Sequence, residues 1–192
     1  MSHERWVVVK VGGSLYDWPL LRERLGAFLA SFRDDNVLIF PGGGLTADAI
    51  RSFDQVHELG EEASHWLAIQ ALSVNARFLQ GLLPGAGLVG ENFACASGSD
   101  GSVSVLDPLP FFLEDERRDD HLPHRWDVTS DSLAVRAAVL FRARELVLLK
   151  STTWEGSDWT KASDAGLVDS YFATALQQAL GVAVRCCNLR GR

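Results

Sequence analysis

The stretch VVVKVGGSL, residues 7–15, decides how the rest of the chain is read. β-branched residues that run without alternation mark a strand covered on both faces, as in a parallel sheet. Trp6 to Val11 therefore reads as a buried strand, and Gly12-Gly13 ends it. Lys10 is the odd member, because a charge near the end of a buried strand needs something to face. The glycines that follow tolerate positive φ and let backbone N–H groups approach an anion with no side chain in the way.

Outward from this strand, LLRERLGAFLASF (20–32) places Leu21, Leu25, Phe28 and Phe32 on one helical stripe. NVLIF (36–40) is a second buried strand, followed by PGGG (41–44), a helix from Leu45 to about Val56 and a longer one from about Glu61 to Gln80. The middle is less regular: SGSDGSVS (97–104) reads as a surface loop, VSVL as a short strand ending in a turn at Asp107-Pro108, and EDERRDDH (114–121) as a solvated helix end or loop. Order returns with WDVTSDSLAVRAAVLFRA (126–143), where Thr129 or Ser130 caps a helix. ELVLLK (145–150) is a strand, LVDSYFATALQQAL (167–180) an amphipathic helix and VAVRCCNL (182–189) a last strand. Strands alternating with helices imply an α/β fold, a mainly parallel sheet covered on both faces. No repeat or linker divides the 192 residues, so one domain spanning 1–192 is expected.

Composition narrows the function. A net charge of −7 argues against a general nucleic-acid binder, and no apolar run approaches the roughly 20 residues of a bilayer span. The charged start MSHERW leads straight into a strand and shows no secretory signal. Three cysteines (Cys95, Cys186, Cys187) make neither a disulfide framework nor a CxxC pattern, which fits a reducing cytoplasm. His121 and His124 are close in sequence, but no histidine pair stands at i, i+4, so no metal-ligating residues are assigned. The 18 basic residues include only three lysines, Lys10, Lys150 and Lys161, and an ammonium serves as a compact point charge on a phosphate where a planar guanidinium would not fit.

In a parallel sheet, strand-to-helix loops open at the carboxyl edge. That edge collects VGGS (11–14), PGGG (41–44), KSTTWEG (150–156) and WDVTSD (126–131). Two glycine loops with Lys10 at the root of the first form a cradle for more than one phosphoryl group, although a Gly-Gly after a strand also serves as a plain turn. Asp131 can hold a lysine or a Mg²⁺-bound group, or act only as a helix cap. Asp127 is a weaker candidate, and Asp48, Asp54 and His65 read most simply as helix-surface charge. Neither GxxxxGK[ST] nor GxGxxG is present.

VKVGGSL, FPGGGLTAD, WDVTSDSLA and ELVLLK, in that order, resemble the amino acid kinase family, the group of carbamate, acetylglutamate, uridylate and isopentenyl phosphate kinases. The resemblance implies a three-layer αβα sandwich that transfers the γ-phosphoryl of ATP to a carboxylate, carbamate or phosphate oxygen, with Mg²⁺ and commonly in a homo-oligomer. On that reading Lys10 lies on the transferring phosphoryl, and Gly12, Gly13 and Ser14 line the ATP phosphates. Gly42, Gly43 and Gly44, with Thr129 and Ser130, stand on the acceptor side, and Asp131 organises the lysines. Lys150-Ser151 departs from the Thr-Asp or Ser-Asp common at that place, and the region of the family's second lysine offers only Lys161. Either Lys150 or Lys161 takes that role, or the nucleotide site has changed. HWLAIQALSVNARFL and RWDVTSDSLA look most like the small kinases of methanofuran assembly, which implies [5-(aminomethyl)furan-3-yl]methyl phosphate as acceptor. A carboxylate-directed kinase and a nucleotide-binding protein without turnover are the alternatives.

Overall fold

The computed structural model describes residues 6–90 and 101–191. Six strands, β1 (Trp6–Val11), β2 (Asn36–Pro41), β3 (Gly87–Val89), β4 (Val103–Leu106), β5 (Glu145–Lys150) and β6 (Ala183–Asn188), form one sheet in the order β3-β4-β2-β1-β5-β6. Every pairing is parallel, so all strands end on one edge. The chain lays β1, β2 and then β4 and β3 to one side of its start, and β5 and β6 to the other. The reversal at β1 opens a crevice above the ends of β1 and β5.

The two faces sort by period 2. Val7, Val9 and Val11 of β1, with Val147 and Leu149 of β5, pack against α1 (Leu21–Leu29) through Leu21, Leu25 and Leu29. Trp6 and Val8, with Leu146 and Leu148, face the opposite layer. That layer contains α4 (Pro108–Asp115), α5 (Ser130–Leu140), α6 (Trp159–Asp164) and α7 (Phe172–Leu176). The long α3 (Glu61–Leu82) serves both cores, with Ile69 and Leu72 on one side and Ala76 and Leu79 on the other. Each such fully buried side chain contributes about 1.5–3 kcal/mol, which is why the uninterrupted apolar strands sit at the centre of the sheet. This is the expected αβα sandwich.

Three segments differ from the sequence expectation. Asp107-Pro108 opens α4 rather than closing a turn, since proline at the first helical position loses no needed N–H. Asp115, expected to be solvated, is buried, and its carboxylate accepts from the equally buried Arg136 of α5 at 2.7 Å. Residues 167–180 contain only the short α7, because Asp169 is drawn off to another helix as described below. The short β3 and α6 fall in stretches too glycine-rich or too brief to show a period. Cys95 and residues 97–100 lie outside the described residues. No helix among the described residues is long and apolar enough to cross a membrane.

Candidate functional site

Strand register brings the two lysines together. Lys10 pairs with Leu148, and Lys150 lies two residues further along β5, so both side chains project from the same face at the same edge. That face is covered by α5, whose second residue is Asp131. Lys10 Nζ donates to Asp131 Oδ1 at 2.7 Å, and Lys150 Nζ donates to Oδ1 at 2.8 Å and Oδ2 at 3.0 Å. Lys150 Nζ also donates to the Leu167 carbonyl at 2.6 Å. Lys10 and Asp131 are both buried.

Burial alone would push the Asp131 carboxyl up, but the charges of Lys10 and Lys150 outweigh it and hold it below its ordinary value. Lys150 pays the other side of this balance: burial first, then the charge of Lys10, bring it down to about 8 against the pull of Asp131. Two ammonium groups against one carboxylate leave a net positive centre in a chain whose overall charge is −7.

Asp131 is aimed by Asp169. Thr129 occupies the N-cap of α5, yet its side chain makes no cap bond. Instead Asp169 Oδ2 accepts from the backbone N–H groups of Thr129 (3.1 Å) and Ser132 (3.0 Å) and from Thr129 Oγ1 (2.8 Å), while Ser132 Oγ donates to Oδ1. An aspartate from a distant segment thus does what an N-cap side chain does, satisfying the orphan donors of the first turn. Burial raises its carboxyl above the ordinary value, against the four hydrogen bonds.

The glycine loops meet backbone to backbone. A Cβ on Gly13 would lie 2.1 Å from Gly44 N and 2.4 Å from Gly44 Cα, and one on Gly42 would lie 2.5 Å from the Val11 carbonyl oxygen. Gly44 itself has φ +55. Asn75 of α3 fixes the second loop, its Nδ2 donating to the carbonyls of Gly42 (2.8 Å) and Gly43 (2.7 Å) and to Thr46 Oγ1 (2.7 Å). The Tyr16 hydroxyl accepts from Gly42 N at 2.7 Å. Ser14 Oγ lies 3.0 Å from Ser151 Oγ, which ties the first loop to the end of β5.

This packing gives a sharp expectation for Gly13→Ala. The two loops must separate, and since a displacement of about 1 Å can cost about 10²-fold in rate, turnover should fall by that order. Gly26→Ala is the control: nothing lies within 4 Å of its Cβ, and it stands inside α1, where alanine stabilises by about 0.5–1 kcal/mol. Melting curves and turnover measured on both variants test the point, and a Gly13→Ala protein with unchanged turnover and melting temperature would refute it.

A cavity of about 210 Å³ opens beside the centre. Lys10, Gly13, Ser14, Gly43 and Gly44 form one end, and Thr129 and Ser130 join them from the start of α5. Ile69, Leu72, Val128 and Leu133 give it an apolar wall, while Arg51, Arg125, His65 and Trp126 add polar groups. None of the lining residues among those described is acidic. Trp126 Nε1 donates to Asp54 at 2.7 Å, fixing the indole against α2 (Gly44–His57), and the Arg51 guanidinium lies over its ring at 5.3 Å. Asp127 binds Arg125 and Asp48 binds Arg51, so both carboxylates face their own arginines.

Most of the residues singled out in the sequence gather here: Lys10, Lys150, Asp131, Gly12, Gly13, Ser14, Gly42, Gly43, Gly44, Thr129 and Ser130. Gly12 sits behind the others, its N–H donating to the Leu149 carbonyl at 2.8 Å. Lys161 does not line the cavity; it is exposed on α6 and pairs with Asp158 at 3.4 Å. His65, read as helix-surface charge, is buried against the cavity instead. Arg51, Arg125, Trp126, Asn75, Tyr16 and Asp169 are the residues that the sequence reading missed. Asn75 alone carried a signal, as an amide within the apolar stretch ALSVNARFL.

The model of the amino acid kinase family matches residues 5–153, more than three quarters of the chain. The chain belongs to the amino acid kinase family. It is 29% identical over 153 residues to the [5-(aminomethyl)furan-3-yl]methyl phosphate kinase of Methanocaldococcus jannaschii, a match that covers 73% of this chain and 63% of that protein. This family member thus spans less than two thirds of the length of that relative. Among solved structures, uridylate kinase from Archaeoglobus fulgidus superposes with a TM-score of 0.65 at 15% identity, over 96% of this chain and 92% of that one. Aspartate kinase from Synechocystis superposes with a TM-score of 0.59 at 14% identity, over 94% of this chain and 38% of that one. At such identities these structural likenesses speak for the amino acid kinase fold alone.

Proposed function

We propose that the chain is an ATP-dependent phosphotransferase that moves the γ-phosphoryl group to a small anionic acceptor, a phosphate monoester such as [5-(aminomethyl)furan-3-yl]methyl phosphate. The observation that carries this reading is the pair of lysine ammonium groups on one buried carboxylate at the meeting of two glycine loops, beside a cavity whose described lining residues include no acidic side chain. The acceptor reading rests on the Methanocaldococcus relative and on Arg51 and Arg125, which put two guanidinium groups around a small, partly apolar space.

In this mechanism an oxygen of the acceptor phosphate attacks the γ-phosphorus, the bond to the ADP oxygen breaks, and no proton need be removed because the acceptor is already an anion. Protein work is then positioning and charge neutralisation. Lys10 faces the transferring phosphoryl, Lys150 the phosphate chain behind it, and Asp131 keeps both ammonium groups at fixed places. The backbone N–H of Gly13 and the hydroxyl of Ser14 line the ATP phosphates, with Gly12 behind them as the hinge of the loop, and Gly43 and Gly44 line the acceptor side with Thr129 and Ser130. Lys161, exposed on α6 and paired with Asp158, stands outside this set. Mg²⁺, when bound with ATP, would neutralise developing charge on the phosphate oxygens. Both oxygens of Asp131 are taken by lysines and no cavity residue among those described is acidic, so the ion fits as one held chiefly by phosphates and water. A homo-oligomer is part of this reading, supported by the exposed Leu45 and Phe78 that share a cleft between α2 and α3.

Release of ADP with the furan phosphate, with other phosphate monoesters and with acidic amino acids tests the proposal. Transfer to monoesters is expected, whereas transfer to amino acids alone would move the acceptor class to carboxylates, and ATP binding without transfer would leave a nucleotide-binding protein. The same assay has an expected pH profile. Lys150 in the free protein loses its proton at about 8, so kcat/KM for ATP should fall above that pH. Bound triphosphate favours the charged amine and should carry the fall in kcat to higher pH. A kcat/KM flat through the alkaline range would remove Lys150 from the phosphate site.

A further inference from the structure

Outside this centre, three side chains converge at the end of α4 and the loop after it. Glu116, His121 and His124 each bring a ligand-type atom to within 4.8 Å of the others. His124 Nε2 lies 2.9 Å from Glu116 Oε1, and His121 Nδ1 lies 3.5 Å from the same oxygen. A second observation concerns the other ring nitrogen: His124 Nδ1 lies 2.6 Å from Glu62 Oε2, at the start of α3. Metal-bound histidines almost always give their remaining N–H to a carboxylate, which fixes the tautomer and strengthens the ligand. Trp66 Nε1 donates to Oε1 of the same Glu62 at 2.9 Å and so anchors that carboxylate.

We propose that Glu116, His121 and His124 form a binding site for a divalent transition ion of the Zn²⁺ type, with Glu62 as the positioning residue behind His124. Two imidazoles and one carboxylate suit Zn²⁺ and its neighbours, whereas Mg²⁺ prefers an all-oxygen set. A water completes four-coordination. The local spacing, Glu116 to His121 to His124, lets one loop supply all three ligands. Histidine ligates a metal only as the neutral ring, so the ion competes with protons and affinity should weaken as pH falls. Neutralising Glu116 with an ion would also pin the loop ahead of Arg125 and Trp126, and the His124 ring stacks at 4.1 Å on His65, a wall of the cavity. The ion thus braces the acceptor side without touching the phosphates.

Zn²⁺ titration of chelator-stripped protein, with Co²⁺ absorption as the spectroscopic readout, tests the site. One equivalent of Zn²⁺ is expected, together with a rise in melting temperature and a visible tetrahedral Co²⁺ spectrum. His121 is the exposed ligand, so His121→Ala should remain folded by circular dichroism and lose both the spectrum and the equivalent. Glu62→Gln should keep the stoichiometry and weaken Zn²⁺ binding by about 10- to 100-fold. No Zn²⁺ bound by the native chain, or an undiminished equivalent in folded His121→Ala, would overturn the proposal. Neither result bears on phosphoryl transfer, which is measured separately.

Discussion

Lys10→Met is expected to lower kcat/KM for phosphoryl transfer by on the order of 10³-fold, the scale of effect of one positive group on a transferring phosphoryl. Methionine keeps most of the buried aliphatic stem, so little packing is lost. Asp131 also keeps a partner, because Lys150 holds both of its oxygens. The melting temperature should therefore change by no more than about 2–4 °C, the shift that roughly 1 kcal/mol gives a chain of this size. The dissociation between rate and stability is the informative result. Wild-type turnover would remove Lys10 from the chemistry, and a melting temperature that collapsed with the activity would make it a structural ion.

The parts of the site that sequence made legible are those encoded within a few residues. Lys10 stood out because a buried strand cannot carry an unpartnered ammonium, and Gly12-Gly13 and Gly42 to Gly44 because repeated glycine costs backbone entropy that something must offset. What those glycines do was only half legible: Gly13 is required as much by the backbone of Gly44 as by any phosphate. Asp169 was hidden because its two partners, Thr129 and Ser132, lie 40 and 37 residues away, and its own neighbours, LVDSYFATALQQAL, carry a helical period that tertiary demand overrides. Pro108 could be read as either a turn or a helix start, since its fixed φ suits both. Lys150 and Lys161 could not be separated by type. Register separates them, because only Lys150 lies at a strand end beside Lys10.

Asp131→Asn should give the largest loss of stability and shows why the carboxylate is more than a helix cap. The substitution leaves the buried Lys10 and the largely covered Lys150 side by side with no counter-charge, and orphaning a buried ionic partner costs about 3–5 kcal/mol. At pH 7 that corresponds to a fall in melting temperature of roughly 10 °C. Its pH dependence separates this account from loss of a cap. Lys150 already titrates at about 8, well below its unfolded value, so between those two values the unfolded chain holds more protons and stability rises with pH. In Asp131→Asn the lysine is depressed further, so it is neutral where the native one is still charged, and the variant's deficit against the native chain should shrink as pH rises toward 8 and level off above it. On the acid side the sign reverses: the depressed Asp131 carboxyl gives the native chain stability that is full above its unfolded value near ~4 and is lost as pH falls through the folded value. The asparagine variant has no such contribution to lose, so the two stability curves should converge at low pH as well. Turnover of the variant stays depressed throughout, because neutralising Lys150 relieves the fold but removes the charge that would meet the phosphate. A deficit constant from pH 5 to 9 is what a neutral cap would give, and it would refute the bridge between the two lysines.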